Sequence, residues 1–193
     1  MWEKGTIGES ITARWLRSRG YTVIPAYEKQ VSDWKGPRVY LPEGQLVAPD
    51  LFALITRHDQ TYAFWGEVKT KERFTWRFTE GVWQTGLDCK YFEEYKELWE
   101  VHKLPVYIFF YHRRTDTDVR DVQRGAPDTC PAGLFVQRLD TLLALAQRGG
   151  RRGHTDQHTG KYTPMVYWYI HHLQQYATLE QISQITELCA PSQ

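Results

Sequence analysis

Long apolar runs are missing from this chain of 193 residues. No stretch approaches the ~20 consecutive apolar residues that a helix needs to cross a bilayer. A membrane-spanning helix is therefore not expected. Charged residues stand within the first four positions, at Glu3 and Lys4, with no apolar segment behind them, so no secretory leader is expected either. Cysteine is scarce. Cys89, Cys130 and Cys189 are scattered, with no C-x-x-C pair, and read as reduced thiols of a cytoplasmic protein rather than as a disulfide framework. Neither sign of charge dominates, and a net charge of +1 means that any basic surface must be local. The glycine-rich phosphate loop, the dinucleotide fingerprint and the serine nucleophile elbow are all absent, which leaves ATP-driven and acyl-transfer chemistry unsupported. His154, His158, His171 and His172 do not restore a zinc reading. Their spacing fits no closed site, no cysteine accompanies them, and adjacent histidines on a strand would face opposite sides.

Apolar residues make up 41% of the chain, enough for a real core. Aromatics reach 15%, including eight tryptophans, most of which read as core or edge packing. Thr6 to Arg19 reads as a helix, opened by a Thr6/Glu9 capping box and stopped at Gly20. A short strand, Tyr21 to Ala26, follows. Tyr27 to Leu46, polar and punctuated by Gly36-Pro37 and Pro42-Glu43-Gly44, reads as a loop insertion. Two apolar runs then flank the polar turn Arg57-His58-Asp59-Gln60, one from Asp50 to Ile55 and one from Tyr62 to Lys69. Residues 71–86 carry no clear pattern. A helix is expected from Asp88 to about Lys103, striped by Leu87, Tyr91, Tyr95, Leu98 and His102. The unbroken apolar run from Val106 to Tyr111 suits a strand buried on both faces. Two further strand-helix units are expected on the same sheet: Leu134 to Leu139 with Asp140 to Gln147, then Met165 to Ile170 with Leu179 to about Leu188. Thr178 and Gln181 suggest a capping box for the last helix. The fold class is α/β, a central mixed sheet flanked by helices.

The most informative residues are Asp50 and Glu67. Folding the two apolar runs into a hairpin makes paired positions sum to a constant, and a sum of 117 centres on the polar turn. Asp50 and Glu67 then stand opposite each other, with Cβ atoms roughly 5 Å apart. Lys69 shares their face, and Val68 points the other way. Two carboxylates so close repel unless a proton or a cation sits between them, and a hard divalent cation suits oxygen ligands. The triplet acid-x-Lys occurs four times in the chain, at Asp33, Glu67, Asp88 and Glu94, and Pro-Asp occurs twice. Only Pro49-Asp50 with Glu67-Val68-Lys69 places the aspartate at the start of one strand and the triplet at the end of its hairpin partner.

On these residues, and on the order helix, strand, hairpin, helix, strand, the chain resembles the PD-(D/E)XK nuclease superfamily, whose fold is restriction-endonuclease-like. The resemblance covers about residues 5–111 and leaves 112–193 as a C-terminal extension of what is expected to be a single nuclease domain, 1–193. It implies that Asp50, Glu67 and the Val68 carbonyl hold Mg²⁺, with Mn²⁺ as a substitute, and that Lys69 positions the attacking water. Many members also place a glutamate on the first helix, a position that Glu9 matches. Glu9 therefore carries two readings, site acid and helix cap.

The activity implied is Mg²⁺-dependent hydrolysis of DNA phosphodiesters, whether as a structure-selective resolvase of four-way junctions, which would need a homodimer, or as a restriction-type endonuclease. A non-catalytic DNA-binding module of the same fold is the alternative, although such modules typically lose one of these groups. Lys90, Lys71 and Arg73 are candidates for touching the substrate backbone. Lys71, Arg73 and Arg77, interleaved with Phe74 and Trp76, also read as an edge strand with a solvated face. Tyr91 reads as packing, Gln84 as a weaker polar candidate, and the basic loop Arg148 to Arg152 as a phosphate contact or a plain loop.

Overall fold

The computed structural model describes residues 2–26, 38–41, 44–146, 153–155 and 162–188. In chain order the elements are α1 (Trp2–Ser18), β1 (Thr22–Pro25), β2 (Arg38–Leu41), β3 (Gly44–Val47), β4 (Leu51–Arg57), β5 (Gln60–Lys71), β6 (Thr75–Arg77) and β7 (Val82–Asp88). They continue as α2 (Cys89–His102), β8 (Val106–His112), α3 (Val119–Val122), β9 (Gly133–Arg138), α4 (Leu139–Leu145), β10 (Gly153–Thr155) and β11 (Tyr162–Tyr169). A 3₁₀ turn (Ile170–His172) leads into β12 (Gln174–Ala177) and α5 (Leu179–Leu188).

Helix α1 starts four residues before Thr6, so the Thr6/Glu9 pair lies inside the helix and does not form its cap. No proline interrupts residues 2–5, and the helix simply continues through them. Its end is as expected. Gly20 adopts φ +86°, Tyr21 N–H donates to the Leu16 carbonyl, and Gly20 N–H donates to the Arg17 carbonyl. That is a Schellman stop, which favours the one residue without a Cβ penalty.

The main sheet has six strands in the order β1-β4-β5-β8-β9-β12. It is mixed: β5 and β8 run parallel, and the other neighbouring pairs run antiparallel. The β4–β5 hairpin pairs Arg57 with Gln60 and Leu51 with Gly66, so the sum of 117 holds throughout. His58 and Asp59 both take positive φ, 49° and 60°, the pattern of the twisted two-residue turn that suits a hairpin. Because β8 lies inside the sheet, alternate residues feed two cores. Val106, Ile108 and Phe110 pack with Tyr95, Phe92, Leu87 and Trp168, while Phe109 and Tyr111 pack with Trp15, Leu16, Phe64 and Ile182.

Helices α1 and α5 thus cover one face. The other carries α2, α4 and a second sheet, in the order β10-β11-β7-β6. This second sheet corrects the expectation that all later strands join the first: β11, the predicted Met165 strand, pairs with β7 instead. β7 is buried at five consecutive positions, Trp83 to Leu87, and β11 shows no regular alternation, so neither pattern announces a partner. The expected loop 27–46 likewise contains the β2–β3 ribbon, and its residues 27–37 lie outside those described. The Thr178/Gln181 capping box forms, with reciprocal bonds of 3.0 and 3.2 Å.

Gly8 sets how α1 meets the sheet. A Cβ at this position would overlap the Thr70 hydroxyl and lie 3.4 Å from a Val68 methyl, so the helix crosses β5 in direct contact beside the triplet. That crossing brings the next residue, Glu9, toward the end of the hairpin where Asp50 stands.

Candidate metal centre and active site

The hairpin register delivers the first acid. Asp50 sits one position before β4, and its Oδ2 accepts a 2.8 Å hydrogen bond from the Val68 amide. Its own carbonyl accepts from the Ala26 amide at 3.1 Å, which fixes the residue between β1 and β5. Pairing of β4 with β5 ends at Leu51–Gly66, so beyond it β5 runs on without that neighbour. The N–H and C=O of one strand residue project to the same edge. The Val68 carbonyl therefore faces the same vacated edge as the amide that Asp50 holds.

Glu67 and Lys69 turn to the opposite face from Val68, toward α2. Glu67 is 2% exposed. Its Oε1 lies 2.5 Å from Lys69 Nζ, and its Oε2 is buried with no hydrogen-bond partner. The ammonium of Lys69 also lies 4.8 Å from the centroid of the Tyr91 ring. Tyr95, buried on α2 four residues further on, brings its phenol within reach of the Glu67 carboxylate. Burial and the adjacent carboxylate raise the Tyr95 pKa well above its usual value, which keeps the phenol a neutral donor.

Electrostatically the cluster is short of positive charge. Asp50 is pushed up from 3.8 to about 8, first by burial and next by the Glu67 carboxylate; Lys69 and the Val68 amide oppose this, and Glu9 adds a smaller push upward. Burial acts against the charged form of Lys69, yet Glu67 outweighs it and holds the ammonium above its normal range. One ammonium thus neutralises one of two carboxylates, and the site favours a proton or a cation on the second. The orphaned Oε2 of Glu67, the Asp50 carboxylate once it gives up its proton, and the Val68 carbonyl are all hard oxygen donors. Together they fit a divalent cation of the Mg²⁺ or Mn²⁺ type. Among the described residues no three His, Cys, Asp or Glu side chains converge as a metal cage. Glu9, half-buried on α1, is close enough to act on Asp50 but does not complete a three-acid set.

The remaining candidates divide by position. Lys71 lies two residues beyond Lys69 on the same face, half-buried, and forms no ion pair among the described residues. Burial, then the charge of Lys69, lowers its pKa. Arg73 is engaged elsewhere, bound through its guanidinium to Asp116. Arg77 is likewise paired, with Glu80 at 2.6 Å. Lys90 is exposed and 3.9 Å from Glu94. Gln84 is buried in β7 with its Oε1 unpartnered. His171 and His172 occupy the 3₁₀ turn rather than a strand, with ring centroids 4.5 Å apart, and His172 Nδ1 accepts from the Tyr169 amide. His158 and the basic loop 148–152 lie outside the described residues.

The sequence reading missed two residues here. Tyr95 stands on the apolar stripe of the expected helix, and a phenol on such a stripe needs a partner when buried. His112 pairs in register with Lys71, is fully buried, and stacks on Phe74 with centroids 3.6 Å apart. Burial, then Lys71, lowers its pKa to about 3, so it stays neutral and leaves the cations of β5 uncrowded.

No family model and no curated protein matches this sequence. Solved structures do. Archaeoglobus fulgidus Hjc, a Holliday junction resolvase from an archaeal hyperthermophile, is similar with a TM-score of 0.47 at 12% identity, over 87% of this chain and 90% of its own. D212, a nuclease from a fusselovirus, gives 0.41 at 14% identity, over 97% and 93%. The chain itself keeps the order that carried the sequence resemblance: α1, β1, the β4–β5 hairpin, α2 and β8, with Pro49-Asp50 and Glu67-Val68-Lys69 meeting at one edge.

Proposed function

We propose that this protein is a metal-dependent nuclease of the restriction-endonuclease-like kind that hydrolyses DNA phosphodiesters at the Asp50–Glu67–Lys69 cluster. One observation supports this most: the buried Glu67 and the half-buried Asp50 stand beside one ammonium, which pairs with Glu67 alone, and the Glu67 Oε2 has no hydrogen-bond partner. A buried unpaired oxygen costs stability, so its retention needs a reason. Asp50, Glu67 and the Val68 carbonyl would hold Mg²⁺. When bound, that ion supplies Lewis acidity and a more acidic water.

The chain's own groups do the rest. Lys69 bridges to Glu67 in the absence of a cation, and a competing cation on Glu67 would free its ammonium to orient water or offset charge on the phosphate. Tyr95 steadies Glu67 from α2, and Val68 N–H fixes the Asp50 carboxyl. Lys71, unpaired and on the same face, is placed to meet a neighbouring phosphate. Glu9 tunes Asp50 from α1.

The test is direct. Supercoiled, linear, single-stranded, forked and four-way DNA are incubated side by side with the protein and Mg²⁺ or Mn²⁺, and product ends are read. Cleavage that disappears with chelator and returns with metal is expected. A panel uncut under every metal condition would overturn the proposal. Preference for four-way DNA would assign the resolvase role, and a fixed cut in linear duplex the restriction role.

A further inference from the structure

On the opposite face of the main sheet, at the far end of the β4–β5 hairpin, lies an open cavity of about 260 Å³. Trp15, Leu16, Arg19, Tyr21, Arg57 and Tyr176 line it. Arg57 and Asp50 stand at opposite ends of β4, which separates the cavity from the acids by roughly 23 Å along the strand. The lining belongs to the α1 core, whereas Glu67 and Lys69 face α2.

Its chemistry is one-sided. No carboxylate lines the cavity, and neither Arg19 nor Arg57 forms an ion pair among the described residues. Five other arginines are paired, Arg73 and Arg114 with Asp116, Arg77 with Glu80, Arg113 with Glu72 and Arg138 with Asp140, whereas the two at this cavity converge on one opening without an acid between them. The dipole of α1 favours a cation at its C-terminus and accounts for Arg19 alone. It does not account for Arg57, which arrives from a hairpin turn. The Arg19 guanidinium lies 4.5 Å from the ring centroid of the buried Trp15, a contact that holds it at the cavity wall. Tyr21 and Tyr176, both half-buried, add aromatic walls, and their phenols lie close enough to influence each other. The volume falls below the ~300 Å³ at which pockets begin to enclose drug-sized ligands. It suits one planar ring with one anionic group.

We infer that this cavity binds a single nucleotide unit of a single strand, its base against Tyr21 and Tyr176 and its phosphate on Arg19 and Arg57. Aromatic walls beside guanidiniums are the general means of gripping unpaired bases without reading sequence. Such a grip would anchor a strand at a distance from the reacting acids. It stands apart from the nuclease reading, because none of its residues belongs to the acid cluster.

The test measures binding in chelator, where cleavage plays no part. Anisotropy of a labelled twelve-residue thymidylate strand is followed against the wild-type chain, Arg19→Gln/Arg57→Gln and, as a charge control, Arg120→Gln at an exposed position of α3. Binding is expected to weaken on the order of tenfold in the double arginine variant, the loss of charge-assisted hydrogen bonds, and to be unchanged in Arg120→Gln. Free thymidine monophosphate should compete, and thymidine should not. Tyr176→Ala, which keeps both arginines, should weaken binding as well. Equal affinity in wild type and the double arginine variant would overturn the inference. So would inorganic phosphate competing as well as the nucleotide, since the ring would then contribute nothing. Failure here leaves the DNA cleavage assay unaffected, and failure of cleavage leaves this binding assay readable.

Discussion

Lys69→Ala and Asp50→Ala are each expected to lower DNA cleavage by about 10²–10³ or more while leaving the fold intact, the scale on which a single preorganised charge-stabilising group contributes. The two losses arise differently. Lys69 is the counter-ion of Glu67 at 2.5 Å, and its removal leaves a buried carboxylate with no positive partner in the metal-free protein. A divalent ion would then be bound at least as readily, yet the ammonium beside the reacting phosphate would be missing. Asp50→Ala instead removes a donor oxygen and frees the Val68 amide. Metal should bind more weakly and cleavage should fall even in excess Mg²⁺. Single-turnover rates across a metal titration separate the cases. Unchanged rates in both variants would remove these residues from the site.

The second large effect is a pH dependence of stability in chelator. Asp50 is 3.8 when unperturbed and about 8 in the folded chain. A carboxyl with a raised pKa contributes its full stability below the unperturbed value. The contribution is lost as pH rises through this window and is gone once pH passes about 8. The slope for one proton is at most about 1.4 kcal/mol per pH unit, and partial solvation of the residue brings the total to on the order of a few kcal/mol. The metal-free protein should therefore melt at lower temperature at pH 8.5 than at pH 5. Asp50→Asn, which cannot ionise, should flatten that fall, and Mg²⁺ should reverse it in the wild-type chain by binding the ionised pair. A wild-type profile as flat as that of Asp50→Asn would show that Asp50 is not held neutral.

The hairpin was more legible than the strands that follow it. The register followed from the polar turn alone, because a two-residue hairpin leaves no slack: once Arg57 pairs with Gln60, Leu51 must pair with Gly66. The run Val106 to Tyr111 announced its burial on both faces because no polar residue interrupts it. Legibility ended where pattern is shared between alternatives. Nothing local distinguishes joining one sheet from joining another, so β11 was assigned to the wrong one. The Thr6/Glu9 pattern is a true capping signature in form, but a helix can run past it when residues 2–5 raise no barrier. Tyr95 and His112 gained their places only through tertiary contact, the first beside Glu67 and the second beside Lys71.

The most direct measurement is a crystal grown with Mn²⁺ and examined for anomalous scattering. A peak held by the Asp50 and Glu67 carboxylates and the Val68 carbonyl, with Lys69 Nζ withdrawn from Glu67, is the predicted result. Density without such a peak, with Lys69 still bound to Glu67 at saturating Mn²⁺, would contradict it.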